Sequence, residues 1–150
     1  MKKLAILISG TLFCLAGMAA ESSDSWVISG KDRISCDKVN VGIAKARITL
    51  DNGEKMTLPV NQIDAYSADG MVFDRKMVYR NGKPTGHKEF MELIKINGDL
   101  SLYKTTTFDD DLGTAVDVYN VYKGDNLYLK LDNKSMPSVF NFFRVKWEFK

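Results

Sequence analysis

The chain has 150 residues, 21 of them Lys or Arg and 19 Asp or Glu, with 11% aromatic side chains, one histidine and two cysteines. Two of the basic residues, Lys2 and Lys3, precede the first apolar run; without them the charges balance at 19 of each sign, so net charge favours neither nucleic acid nor an anionic membrane as partner. A lone histidine, and Cys36 as the only cysteine after residue 20, exclude a conventional zinc site and an internal disulfide in residues 21–150.

Residues 1–20 carry the pattern of a cleavable signal peptide: Lys2 and Lys3, an apolar run from Leu4 to Leu15, then the small residues Gly17, Ala19 and Ala20 before Glu21. The run is shorter than the ~20 residues of a membrane-spanning helix, and no longer one follows, so no integral membrane insertion is expected. Phe13 stands where a lipoprotein leader would need a small residue, which argues against lipidation at Cys14. The expected product is an exported, periplasmic or extracellular, monomeric domain over residues 21–150. At about 130 residues it is large enough to bury its own core. Cys36 then reads as a small buried hydrophobe.

Beyond the polar lead-in, short apolar segments are punctuated by Asn-Gly and Gly-Asp turns, the signature of antiparallel hairpins. Strands are predicted near 26–29, 39–50, 55–60, 71–79, 90–96, 99–105, 116–122, 127–131 and 144–149. The long strand at 39–50 needs a bend near Gly42, because Val39, Val41 and Ile43 are out of phase with Ala46, Ile48 and Leu50. Asp51-Asn52-Gly53, Arg80-Asn81-Gly82 and Ile96-Asn97-Gly98 suit three-residue loops ending in a left-handed Gly. The first of these would set Ile48 opposite Met56 and Ala46 opposite Leu58, apolar on apolar; the third would set Ile94 opposite Leu100. Pro59 belongs at a strand end, and 61–68 reads as a helical turn.

Gly124-Asp125 reads as a two-residue turn that aligns Tyr122 with Leu127, Asn120 with Leu129 and Val118 with Leu131. The other face of that hairpin then carries Val121 beside Tyr128 and Tyr119 beside Lys130. A helix is predicted at 135–143, capped by Ser135, with Pro137 in its first turn and Val139, Phe142 and Phe143 as its apolar stripe. Val145, Trp147 and Phe149 alternate with polar residues as a closing strand. The fold class is therefore all-β: an antiparallel, hairpin-rich curved sheet or small barrel with one C-terminal helix, the alternative being a two-layer sandwich.

No nucleophile motif or phosphate-binding glycine loop is present. His87 lies in a loop sequence. Asp109, Asp110 and Asp111 fail the calcium-loop pattern, since the Gly comes a position early and Asn120 occupies the twelfth place. Asp64, Asp74 and Glu92 are the acids from which a catalytic carboxylate pair would have to come. No cofactor or metal is expected.

The run Phe90-Met91-Glu92-Leu93-Ile94, the hairpin Gly98-Asp99-Leu100-Ser101-Leu102-Tyr103, its partner from Tyr119 to Asp125 and the closing Phe142-Phe143 resemble a group of uncharacterised exported proteins of Bacteroides- and Flavobacterium-type bacteria. That resemblance implies a Gram-negative envelope setting and an accessory or binding role, with no catalytic residue to carry over. The residues themselves lead to non-catalytic binding of a glycan, lipid or peptide at Tyr119, Val121, Tyr128 and Lys130. Alternatives are a carboxylate-dependent enzyme and a structural or assembly factor of the envelope.

Overall fold

The computed structural model describes residues 25–146, so the leader expected at 1–20 and most of the closing strand expected at 144–149 lie outside the described residues. The described residues build eleven antiparallel strands: β1 (Ser25–Ser29), β2 (Asp32–Cys36), β3 (Lys38–Val41), β4 (Lys45–Thr49), β5 (Lys55–Pro59), β6 (Ala65–Ala68), β7 (Met71–Arg80), β8 (Lys83–Asn97), β9 (Leu100–Asp109), β10 (Thr114–Lys123) and β11 (Asn126–Lys130). The helix α1 (Met136–Phe143) follows them. Eight strands form one sheet in the order β11-β10-β9-β8-β7-β6-β1-β2, and β3-β4-β5 form a second. Among the described residues the large sheet is open, ending at β11 and at β2, so the curved-sheet expectation holds and the sheet is not closed into a barrel.

At one end the three-stranded sheet packs over β1, β2 and β6. Val27, Cys36, Val39, Ala46, Ile48 and Ile63 make a core there, and Tyr66, stacked on Phe73 at 4.8 Å, joins it to the larger sheet. Each alternating strand sends one face into that core. Cys36 is buried as a small apolar side chain.

The β4–β5 turn keeps the expected register, with Ile48 opposite Met56 and Ala46 opposite Leu58. Elsewhere local chemistry chose differently. The expected bent strand at 39–50 is a hairpin, with Val39 opposite Ile48 and Val41 opposite Ala46. That pairing resolves the phase conflict without a bulge, because the two apolar sets now face each other. Gly42 donates its N–H to the Lys45 carbonyl in the turn. Asn81 and Gly82 both have positive φ and form a two-residue turn between Arg80 and Lys83. The last Asn-Gly likewise pairs Asn97 with Leu100 around a two-residue turn, so Ile94 does not oppose Leu100 but sits in a bulge. The segment expected as a helical turn is a 3-10 turn at Val60–Gln62 followed by β6. Ser135 precedes α1 without capping it: its hydroxyl donates to Asp132 Oδ1 at 2.8 Å instead, and the same carboxylate accepts the Ser135 N–H. Val145 and Lys146 are not in a strand.

Candidate functional site

Strands β7 to β11 roll tightly. A flat sheet would separate β7 from β10 by about 14 Å, three strand spacings, more than a side chain bridges. Yet Tyr122 on β10 donates its hydroxyl to the Met77 carbonyl on β7 at 2.8 Å. Lys76 reaches from β7 to the Gly124 carbonyl at 3.1 Å and to Asp125 at 3.2 Å. Curvature gives the sheet a concave face. Cross-strand pairing assigns side chains to it: Asp74 with Met91, Leu93 with Tyr103, Tyr103 with Asn120, and Asn120 with Lys130.

The floor of the concave face is aromatic. Tyr103 meets Tyr122 edge-on at 5.5 Å, Tyr79 approaches Tyr122 at 6.3 Å, and Met91, Val78, Leu93 and Leu127 fill around them. Each buried hydroxyl has a partner: Tyr103 donates to Asp74 at 2.6 Å, and Lys76 lies over the Tyr103 ring at 5.4 Å. Burial and, next, the Asp74 bond push the Tyr103 pKa up; burial pushes Tyr122 up to about 12. Neither phenol is poised to ionise near neutrality, so neither serves as a base there.

Two concavities open from this floor. A cup of about 310 Å³ includes Tyr79, Glu89, Met91, Asn120, Tyr122 and Lys130. It adjoins a wedge of about 630 Å³ between Tyr79–Gly82 and Leu127–Lys130. Four consecutive residues line each side of the wedge. The lining joins the end of β7 and its Asn81-Gly82 turn to β11, the outermost strand of the large sheet among the described residues. Among the described residues no strand pairs with the outer side of β11, and β6 pairs with β7 only through Asp74. Because the Leu131 N–H is given to the Tyr119 carbonyl on β10, alternation turns the Lys130 N–H and carbonyl toward the gap. The latch contacts of Lys76 and Tyr122 hold the other end of the wedge narrow.

The four residues expected to share a face do not. A bulge between Val121 and Tyr122 shifts the register, so that Tyr122 still opposes Leu127 as expected but Val121 opposes Leu129 and Asn120 opposes Lys130. Such a one-residue shift exchanges faces. Val121, only 2% exposed, and Tyr119 therefore lie under α1 with Leu102, Leu131, Phe140 and Phe143, and the Tyr119 ring meets Phe140 edge-on at 5.0 Å. Tyr128, 65% exposed, and Lys130 line the wedge. Sequence reasoning missed Tyr79, Arg80 and Asn120 as lining residues; the only signal for them was the Asn81-Gly82 turn, which fixes where β7 ends.

The candidate carboxylates are separated. Phe73 opposes Glu92 and Asp74 opposes Met91, which puts Glu92 and Asp74 on opposite faces of the sheet. Glu92 pairs with Lys104 at 2.7 Å, and Asp64 accepts the Gly30 N–H. His87 is exposed beside Glu89, at 3.3 Å. Asp109 folds back to accept the N–H groups of Asp111 and Leu112. Among the described residues no cluster of His, Cys, Asp or Glu could hold a metal ion, and no helix is long and apolar enough to cross a membrane.

Comparison with family models, curated proteins and solved structures found no match.

Proposed function

We propose that this chain is a non-catalytic binding protein of an exported setting that takes an extended peptide segment into the wedge between β7 and β11. The observation that carries the reading is the outer side of β11, which no strand pairs among the described residues, with the Lys130 backbone N–H and carbonyl turned toward the wedge lined by Tyr79–Gly82 and Leu127–Lys130. An extended chain would gain main-chain hydrogen bonds from β11, and Tyr79, Tyr128 and Leu129 supply apolar contact for its side chains. Because β7 and β11 run the same way, one antiparallel segment could face both edges. Arg80 and Lys130 favour a segment bearing acids. A glycan or lipid would use the aromatic floor but not the strand edge. A carboxylate-dependent enzyme has less to stand on, with Glu92 and Asp74 on opposite faces and each already partnered.

The test is backbone hydrogen exchange on the mature chain with a library of acidic and neutral peptides, alongside glycan and lipid panels. Binding should slow exchange of the Lys130 amide. Lys130→Pro deletes that donor at a sheet edge, where proline is tolerated, without touching the ladder to β10; it should abolish peptide binding while the far-ultraviolet circular dichroism is unchanged. Peptide affinity that survives Lys130→Pro, or saturable binding confined to a glycan or lipid, would overturn the reading.

A further inference from the structure

Beyond the pairing of Glu92 with Lys104, β8 and β9 part company. β8 continues with β7, and β9 continues with β10 from Thr105 to Asp109. Among the described residues no strand but β10 pairs with β9 beyond Lys104, so the far end of the β9–β10 hairpin stands as an arm of two strands. At its tip three consecutive acids, Asp109, Asp110 and Asp111, stand between Phe108 and Leu112, which are 64% and 68% exposed. Asp109 is spent on closing the turn; Asp110 and Asp111 are exposed. Two large apolar side chains at the end of a projecting arm are a docking feature rather than a scattered surface residue.

The wedge has the complementary character. Arg80 and Lys130 bring positive charge, and Tyr128 and Leu129, the latter 37% exposed, bring apolar surface. The antiparallel order places the Arg80–Lys83 turn, the end of β11 and the β9–β10 tip all at one end of the sheet. Two molecules meeting end to end about a two-fold axis can each offer an acidic tip to the other's basic wedge, which is a closed, self-complementary arrangement. We infer that the occupant of the wedge is the Phe108–Leu112 tip of a second copy of this chain, so that the protein forms a reciprocal dimer held by opposite charge and apolar contact. This rests on the wedge being a binding site, with an occupant that enters as a closed turn and uses the charge and apolar surface of the wedge rather than main-chain pairing with β11, and it departs from the monomer that the sequence led one to expect.

Sedimentation velocity of the mature chain at low salt, loaded from about 10 to about 500 micromolar, covers the range of a small, transient interface. A monomer–dimer equilibrium that weakens as salt is raised is expected. Asp110→Lys with Asp111→Lys makes both tip and wedge basic; Arg80→Glu with Lys130→Glu makes both acidic. Each double variant alone should be monomeric, with melting temperature close to the parent. Mixed one to one, they should regain the dimer, because each tip again meets a wedge of opposite sign. A parent chain that stays monomeric throughout, a dimer indifferent to both double variants, or a mixture that fails to associate would each overturn the inference. Failure here together with peptide protection of the Lys130 amide leaves the binding function standing with a different occupant; loss of both removes the site itself.

Discussion

The Tyr122 hydroxyl donates to the Met77 carbonyl at 2.8 Å, although the two residues belong to strands that are not neighbours in the sheet. That bond records how far β7 to β11 have rolled. Tyr122 is 1% exposed, so its hydroxyl must find a partner, and it finds the Met77 carbonyl on the far side of the roll. Tyr122→Phe keeps the ring packing and removes the donor. It should cost about 1 kcal/mol, the net worth of a typical hydrogen bond, whereas Tyr122→Ala should cost about 3 to 5 kcal/mol, read from urea unfolding.

The same phenol sets an alkaline limit. Burial first, and the neighbouring Tyr79 and Glu89 next, hold its pKa up at about 12 in the folded chain, against about 10 unfolded. A folded pKa above the unfolded one contributes stability that is intact below pH 10 and lost as pH rises toward 12. Tyr103, raised by burial and by Asp74, acts in the same direction. Stability should therefore show no tyrosine-linked decline between pH 7 and about pH 9.5 and fall beyond it, and Tyr122→Phe should make the decline shallower. Melting temperature followed across alkaline pH checks this; an unchanged slope in the variant would refute the assignment.

The β10–β11 bulge, which leaves Tyr128 with no residue opposite it between Leu127 and Leu129, divides what sequence pattern had joined. Val121 and Tyr119 support the packing of α1, while Tyr128 points to the wedge. Tyr119→Ala and Val121→Ala should each destabilise the fold by about 1 to 3 kcal/mol, as partly and fully buried truncations do. Tyr128→Ala should stay within about 0.5 kcal/mol and alter only binding. Urea midpoints for the three variants, set beside their peptide affinities, test the division.

That bulge also shows where the sequence stops being legible. At Asp51-Asn52-Gly53 only one register sets Ile48 against Met56 and Ala46 against Leu58, so hydrophobic pattern and turn chemistry agreed and the register was readable. In and just after β11, Leu127, Leu129 and Leu131 alternate just as well with or without a slipped residue. What decides is α1, whose Phe140 and Phe143 need Leu131 and Val121 on one face, and that is a tertiary demand. β2, with the sequence Asp-Arg-Ile-Ser-Cys, escaped notice for a related reason: as the last strand of the sheet it shows only Ile34 and Cys36 as apolar. The wedge was unreadable because it is made by curvature, to which no local spacing testifies.

Cys36 should be chemically silent. It is 1% exposed in the core with Val27 and Ile48, and burial, followed by the charges of Asp51 and Asp37, raises its thiol pKa. The reactive thiolate is thus doubly scarce. A thiol reagent at mildly alkaline pH should label a chain of residues 21–150 only as fast as it unfolds, with the rate rising steeply in urea. Rapid stoichiometric labelling of native protein would show that this core opens locally.

Lys76 is the latch of the roll, and its energetics can be separated from those of its partner. Asp125 is 70% exposed, so the ion pair itself is screened and worth little. The Lys76 side chain is only 14% exposed, and it also donates to the Gly124 carbonyl and covers the Tyr103 ring. Its aliphatic stem therefore packs on the concave floor while the ammonium holds the β10–β11 turn against β7. Asp125→Ala should shift stability by less than about 0.5 kcal/mol, whereas Lys76→Ala should cost about 1 to 2 kcal/mol. Lys76→Met keeps the stem and loses the donor, and should fall between them. Because the latch keeps one end of the wedge narrow, amide exchange at Leu127 and Tyr128 should quicken in Lys76→Ala and stay near the parental rate in Asp125→Ala. Equal effects of the two alanine variants on both stability and exchange would mean that the ion pair, rather than the bond to the Gly124 carbonyl and the ring beneath it, closes the roll.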